Sequence, residues 1–124
     1  MMSLGEVCCM QQDCIFCKIA AKEIPAQPIY EDEYVLAFPD INPAAPVHVL
    51  IIPKKHIASL LEIDKQDQIL MGHMMSAIKQ IAEQIGLADE GFRVVINTKE
   101  NGGQTVHHLH CHILGGRSMV WPPG

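Results

Sequence analysis

The chain has 124 residues, enough for one hydrophobic core and one domain, and its 48% hydrophobic and 19% charged composition excludes a disordered polypeptide. A formal net charge of -5, with no basic run longer than Lys54-Lys55, excludes a nucleic-acid backbone as main partner and leaves a single nucleotide open. No apolar run reaches the length of a membrane span, and aromatic residues make up only 5%, so the core must be built from Ile, Val, Leu and Met.

Met1 to Gln12 has no periodicity and lacks the basic start and apolar stretch of a secretory signal. It reads as a flexible tail ahead of one domain over 13–124, and the cytoplasm is the expected compartment. The five cysteines agree, because an odd number with Cys8 and Cys9 adjacent is a poor disulfide framework. Asp13 to Lys22 reads as a short helix, capped by Asp13, with Ile15, Phe16 and Ile19 on one side and Pro25 and Pro28 beyond its end. Ile29 to Glu31 and Tyr34 to Phe38 read as a hairpin across a short acidic turn. Three prolines between Pro39 and Pro46 make that stretch an ordered loop, and Val47 to Ile52, flanked by prolines, reads as a central strand.

Asp64 to Ile85 is the main helix. Ile69 or Leu70, Met74, Ala77 or Ile78, Ile81 and Ile85 recur at helical spacing, Asp64 caps it, Asp67 meets its dipole and Gly86 ends it. Phe92 to Asn97 and Thr105 to Leu114 read as strands, joined by the polar loop Thr98 to Gln104. Strands, one long helix, then strands predict an antiparallel α+β domain rather than a doubly wound sheet.

Four of the seven histidines fall in His107-His108-Leu109-His110-Cys111-His112. In a strand, His108, His110 and His112 share one face, about 7 Å apart, while Leu109, Cys111 and Ile113 point into the core. Three readings compete: polar surface, a three-histidine metal site, and nucleophilic catalysis on phosphorus. A neutral imidazole is available near pH 7 and can form a transient bond to phosphorus while its neighbours donate to the phosphate oxygens. The preceding Gly102-Gly103-Gln104-Thr105 favours the last reading, since a glycine pair lets backbone amides approach an anion. Cys14-x-x-Cys17 is open to two readings by itself: a redox pair, without the βαβ pattern that usually follows one, or two buried thiols on a short helix.

The run Gly102 to Arg117 resembles the signature of the histidine triad (HIT) family, His-x-His-x-His followed by two apolar residues. The closing Trp121-Pro122-Pro123-Gly124 is similar to the ending of its Hint branch, the purine nucleoside phosphoramidases. Asp13 to Ile19, Ala37 to Ile41 and His48 to Ile57 are similar to that branch in order and spacing, so the likeness covers residue 13 to the C-terminus.

The resemblance implies the HIT fold, an antiparallel sheet of about five strands with one long and one short helix. It implies hydrolysis of the P–N bond of a purine nucleoside monophosphate derivative through a nucleotidyl-histidine intermediate, with no cofactor needed for catalysis. His110 would be the nucleophile, and His112 would donate to the phosphate and help the leaving group depart. Thr105, where the branch usually has Ser, would touch the bridging atom, with His48 behind the triad. Asp40 would bind the ribose hydroxyls, and Ile15, Phe16, Ile19, Phe38 and Ile41 would line the base slot. Asn97 and the loop from Gly103 through Gln104 and Thr105 to Val106 would contact ribose and phosphate. Pro39 replaces a His common in animal members, and His107 stands where Tyr or Phe is common. The resemblance further implies a structural zinc on Cys14, Cys17, His56 and His108, a set sound for that ion. It also implies a homodimer in which the Trp121 region reaches the partner's site. Two other functions stay open: a dinucleoside polyphosphate hydrolase or nucleotidyl transferase, and a nucleotide-binding regulatory module with incidental hydrolysis.

Overall fold

The computed structural model describes residues 13–124, and the expected tail over 1–12, with Cys8 and Cys9, lies outside them. Its chain-order elements are α1 (Ile15–Ala20), β1 (Tyr30–Glu31), β2 (Val35–Pro39), β3 (Val47–Pro53), α2 (Gln68–Gln84), β4 (Arg93–Val95), α3 (Lys99–Gly102) and β5 (Cys111–Gly115). The five strands form one antiparallel sheet in the order β1-β2-β3-β5-β4, which is the α+β class expected. Asp32 turns the β1–β2 hairpin by accepting from the Tyr34 and Val35 amides at 2.8 and 3.0 Å. β3 lies at the centre, as its bounded aliphatic run predicts.

Strand alternation gives the sheet two apolar faces. Val35, Ala37, Val49, Ile51, Cys111 and Ile113 point to one side, where α2 covers them with Met74, Ala77, Ile78, Ile81 and Ala82. Leu36, Phe38, Leu50 and Ile52 point to the other, covered by Cys14, Phe16, Cys17 and Ile19. Each fully buried aliphatic side chain contributes about 1.5–3 kcal/mol. The small α1 covers only part of its face, and the histidines occupy the part beyond it.

Several boundaries differ from the sequence expectation. The first helix is Ile15–Ala20, and its cap is Cys14, whose Sγ accepts from the Cys17 amide at 3.3 Å, rather than the exposed Asp13. Ile15 faces outward, since a one-and-a-half-turn helix turns only Phe16, Cys17 and Ile19 to the sheet. The main helix begins with a 3-10 turn at Lys65–Asp67 and becomes α-helical at Gln68. Asp67 reaches back to the Asp64 amide at 2.9 Å. Ile69 is 86% exposed, so the stripe starts at the half-buried Leu70. Gly86, at φ +82°, ends the helix in the left-handed conformation that glycine allows. The loop over 98–104 contains the helical turn α3, and the strand expected over 92–97 is only Arg93–Val95, an edge pairing with β5 alone.

The largest difference is at the histidines. The strand expected from Thr105 begins only at Cys111, and residues 106–108 bend. There the chain leaves the sheet because His108 Nε2–H donates to the Pro53 carbonyl at 2.8 Å and the Leu109 amide donates to the Ile57 carbonyl at 2.6 Å. Alternation survives the bend: Leu109, Cys111 and Ile113 are buried in the core, as read from the sequence.

Candidate active site

Register assembles the site. Phe38 pairs with Leu50, and Leu50 with His112, so these three lie across the sheet on the α1 face. Two residues along, the Asp40 amide donates to the His48 carbonyl at 3.0 Å, which places Asp40 beside His48 on that same face. His112 in β5 and His110 just before it have ring centroids 5.0 Å apart, closer than the 7 Å of an ideal strand because the rings lean together. Phe16 of α1 meets the edge of His110 at 5.0 Å and of His108 at 5.9 Å.

Hydrogen bonds fix the state of each imidazole. His110 Nδ1–H donates to the His108 carbonyl at 2.7 Å, which leaves its Nε2 with a lone pair. The Ala44 amide donates to His48 Nδ1 at 2.9 Å, so His48 carries its proton on Nε2 and donates it to His112 Nδ1 at 2.9 Å. His112 must then bear its proton on Nε2. Among the described residues, that Nε2 is the buried side-chain polar atom without a partner. An unsatisfied buried donor costs about 1–3 kcal/mol and is the mark of a ligand position. Burial lowers the His110 pKa, which the His108 carbonyl and the Asp40 charge only partly oppose. Burial, followed by the charges of His110 and His48, pushes His112 down to about 4. Both rings are therefore neutral near pH 7: a lone pair beside a hydrogen-bond donor.

The other residues singled out in the sequence distribute around this pair. Phe16, Ile19 and Phe38 are buried, whereas Ile15 is half exposed and Ile41 is 92% exposed, so the latter two belong to the surface and not to the core. Asn97 is half-buried between β4 and α3. The glycine loop offers fewer amides than its composition suggests. The Gly103 and Gln104 amides donate to the Glu100 and Lys99 carbonyls, each at 3.0 Å, closing α3. The amides left for an anion are those of Thr105 and Val106. The Gln104 side chain braces the loop instead, donating to the Ala58 and Val106 carbonyls at 2.7 and 3.0 Å and accepting from the Lys99 amide at 2.9 Å. Its one sequence signal is a polar residue directly after a glycine pair. The Ala44 amide, which fixes the His48 tautomer, left no signal at all.

A second cluster lies behind His110. Cys14 Sγ, Cys17 Sγ, His56 Nδ1 and His108 Nδ1 lie within 4.8 Å of one another. The His108 Nδ1 distances are 3.3 Å to Cys14 Sγ, 3.5 Å to Cys17 Sγ and 3.2 Å to His56 Nδ1, and Cys17 Sγ is 3.2 Å from His56 Nδ1. A tetrahedron with metal–nitrogen bonds of about 2.0 Å and metal–sulfur bonds of about 2.3 Å has edges of roughly 3.3–3.8 Å. The donor set fits such an ion. His108 Nε2–H is held by the Pro53 carbonyl, which turns the Nδ1 lone pair into the cluster. Burial, opposed by that carbonyl, takes His108 down to about 4, and burial also lowers His56, so both rings are unprotonated and able to ligate at neutral pH.

An α+β domain whose central strands aim a locked imidazole pair out from one face is the architecture of a histidine triad protein. The HIT domain profile matches residues 21–119. An uncharacterised HIT-like protein of Synechococcus elongatus is 57% identical over 115 residues, covering 93% of this chain and 100% of the relative. Protein HitA of Neisseria gonorrhoeae is 56% identical over 103 residues, 83% of this chain and 95% of its own. The crystal structure of a HIT family hydrolase from Legionella pneumophila superposes with a TM-score of 0.88 at 50% identity, covering 90% of this chain and 100% of that one. The chain belongs to the HIT family, whose members handle nucleotides by hydrolase or transferase chemistry. No helix among the described residues is long and apolar enough to cross a membrane.

Proposed function

We propose that this protein is a nucleoside phosphoramidase that cleaves the P–N bond of purine nucleoside monophosphate derivatives. The observation that carries the reading is the pair of locked tautomers, which set a His110 Nε2 lone pair next to an orphaned His112 Nε2–H. His110 Nε2 attacks phosphorus, the bond to the amine nitrogen breaks as that nitrogen takes up a proton from solvent, and the amine departs. Water then attacks phosphorus and the bond to His110 Nε2 breaks, the water's proton returning to solvent, so one water is consumed overall and amine and nucleoside monophosphate are released. His112 Nε2–H and the Thr105 and Val106 amides hold the phosphoryl oxygens, and the Thr105 hydroxyl faces the bridging atom. Asp40 takes the ribose hydroxyls, with Asn97 beside them. The base lies against Phe16, Ile19 and Phe38, with Ile15 and Ile41 at its mouth.

Catalysis needs no metal in this reading. Cys14, Cys17, His56 and His108 would hold a structural zinc, whose contribution is to fix His108 and, through its carbonyl, the nucleophile. We assign residues 13–124 to the HIT domain. A cytoplasmic location fits the three described cysteines, all thiols without a disulfide. A homodimer is supported by the open β4 edge, where Phe92 and Val94 are exposed and Arg93 holds the C-terminal segment through the Val120 carbonyl at 2.9 Å. The testing experiment is turnover of adenosine 5′-phosphoramidate by wild type and His110→Ala, with diadenosine tetraphosphate in parallel. Release of AMP from the phosphoramidate by wild type alone supports the reading. Faster cleavage of the tetraphosphate moves the protein to the dinucleoside polyphosphate hydrolases, and binding of AMP without turnover makes it a nucleotide-binding module.

A further inference from the structure

The Asp40 carboxylate is engaged on one oxygen. Its Oδ1 accepts from the Asn42 amide at 2.7 Å, while its Oδ2 lies 3.4 Å from His48 Nε2. The proton on His48 Nε2 has a second acceptor, His112 Nδ1, at 2.9 Å. His48 cannot escape by changing tautomer, because the Ala44 amide donates to its Nδ1. The reactive atoms of Asp40, His48 and His112 all lie within 4.8 Å of one another. The fixed tautomer also argues against a cation there, since His48 Nε2 could ligate one only by giving up its proton or its Ala44 bond.

We propose that Asp40 is a positioning residue for the His48–His112 pair. In the free site its Oδ2 shares the His48 Nε2 proton with His112 Nδ1. When the vicinal hydroxyls of a ribose donate to Asp40, the His48 Nε2–H is directed wholly at His112 Nδ1, so recognition of the sugar is read in turnover and not in binding alone.

The physical chain is short. Hydroxyl donors on a carboxylate weaken it as an acceptor for a third group. The His48 N–H···Nδ1 bond to His112 then strengthens, and an imidazole that accepts more strongly at one nitrogen donates more strongly at the other. The nitrogen that gains is His112 Nε2, the orphaned donor of the site. Asp40 is also the group whose charge opposes the burial of His112, so it acts on that ring in space as well as through His48. Built this way, the site penalises a nucleotide without a ribose diol at the chemical step.

The inference rests on the nucleotide reading above, and its test separates the two. The first arm compares adenosine 5′-phosphoramidate with its 2′,3′-dideoxy counterpart on wild type, Asp40→Asn and His48→Ala. For wild type the dideoxy substrate should lose about tenfold or more in kcat, beyond any change in KM. In Asp40→Asn and in His48→Ala the sugar should cease to affect kcat. The second arm needs no turnover: nitrogen-15 shifts of His48 Nε2 and His112 Nδ1 are followed at saturation with AMP and with 2′,3′-dideoxy-AMP. AMP should move His112 Nδ1 towards the value of a more strongly hydrogen-bonded acceptor, and the dideoxy nucleotide should not. A sugar effect confined to KM, or equal shifts with both nucleotides, overturns the inference while leaving the phosphoramidase reading intact. Unequal shifts without phosphoramidate cleavage support the inference and remove that reading, and failure of AMP to bind removes both.

Discussion

Asp32→Asn provides a quantitative test of how the β1–β2 hairpin is held to the long helix. Asp32 Oδ1 accepts the two turn amides, and Oδ2 accepts from the Tyr30 hydroxyl at 2.8 Å and from His73 Nε2 of α2 at 2.6 Å. Burial alone would raise this carboxyl, but His73, the amides and Tyr30 outweigh it and hold it at about 2, against an ordinary 3.8. A group depressed in the folded state stabilises above its unfolded value and loses that stabilisation as pH falls through the folded one. At about 1.36 kcal/mol per tenfold, the difference is roughly 2.4 kcal/mol at neutrality, about half of that at pH 3 and little below pH 2. The side chain is 25% exposed, so solvent screening removes only part of it. Urea denaturation should show Asp32→Asn less stable than wild type by about 2 kcal/mol at pH 7, the gap narrowing to less than about 1 kcal/mol at pH 2. A gap that does not change with pH, or none at pH 7, would refute the argument that the charge of Asp32 fastens the hairpin.

Three further outcomes are expected. Because burial lowers the His110 pKa from its ordinary 6.5, that ring stays neutral on the acid side of that value. The kcat/KM profile for a phosphoramidate should be flat through neutrality with its acid limb below 6.5, and His110→Ala should lose about a thousandfold or more. Metal analysis of the purified protein should find one zinc per chain, lost in Cys17→Ser along with several degrees of melting temperature; full zinc in that variant would place the ion elsewhere. A Cβ on Gly115 would stand 2.6 and 2.9 Å from the two methyls of the buried Leu87. Gly115→Ala should therefore cost about 1–3 kcal/mol in a thermal melt, partly recovered by adding Leu87→Ala.

Much of the fold was legible because its strands and main helix carry strong periodic patterns. The proline-bounded Val47–Pro53 strand and the 3.6-residue stripe from Met74 to Ile81 are each one face of an element packed on a core. Boundaries were less legible where a tertiary contact set them. Cys14 caps α1 because its thiol faces the cluster, not because cysteine is a good cap, and the His108 bend exists because Pro53 and Ile57 offer carbonyls from a distant part of the chain. Ile69 satisfies the helical period yet faces outward, while Leu70 and Met71 of the same turn are the residues that pack against the core.

Residue type and order fix the chemistry available: alternate imidazoles in one run, a CxxC pair and a family resemblance spanning residue 13 to the end. Those are properties of residue type and spacing, which the chain carries before it folds. What each group can do depends on its neighbours in the folded chain. Register set Asp40 beside His48 and His48 against His112, while the Ala44 amide and the His108 carbonyl selected the tautomers. A proton's position on an imidazole depends on which donor or acceptor stands within about 3 Å of each nitrogen, and only the folded chain supplies those neighbours.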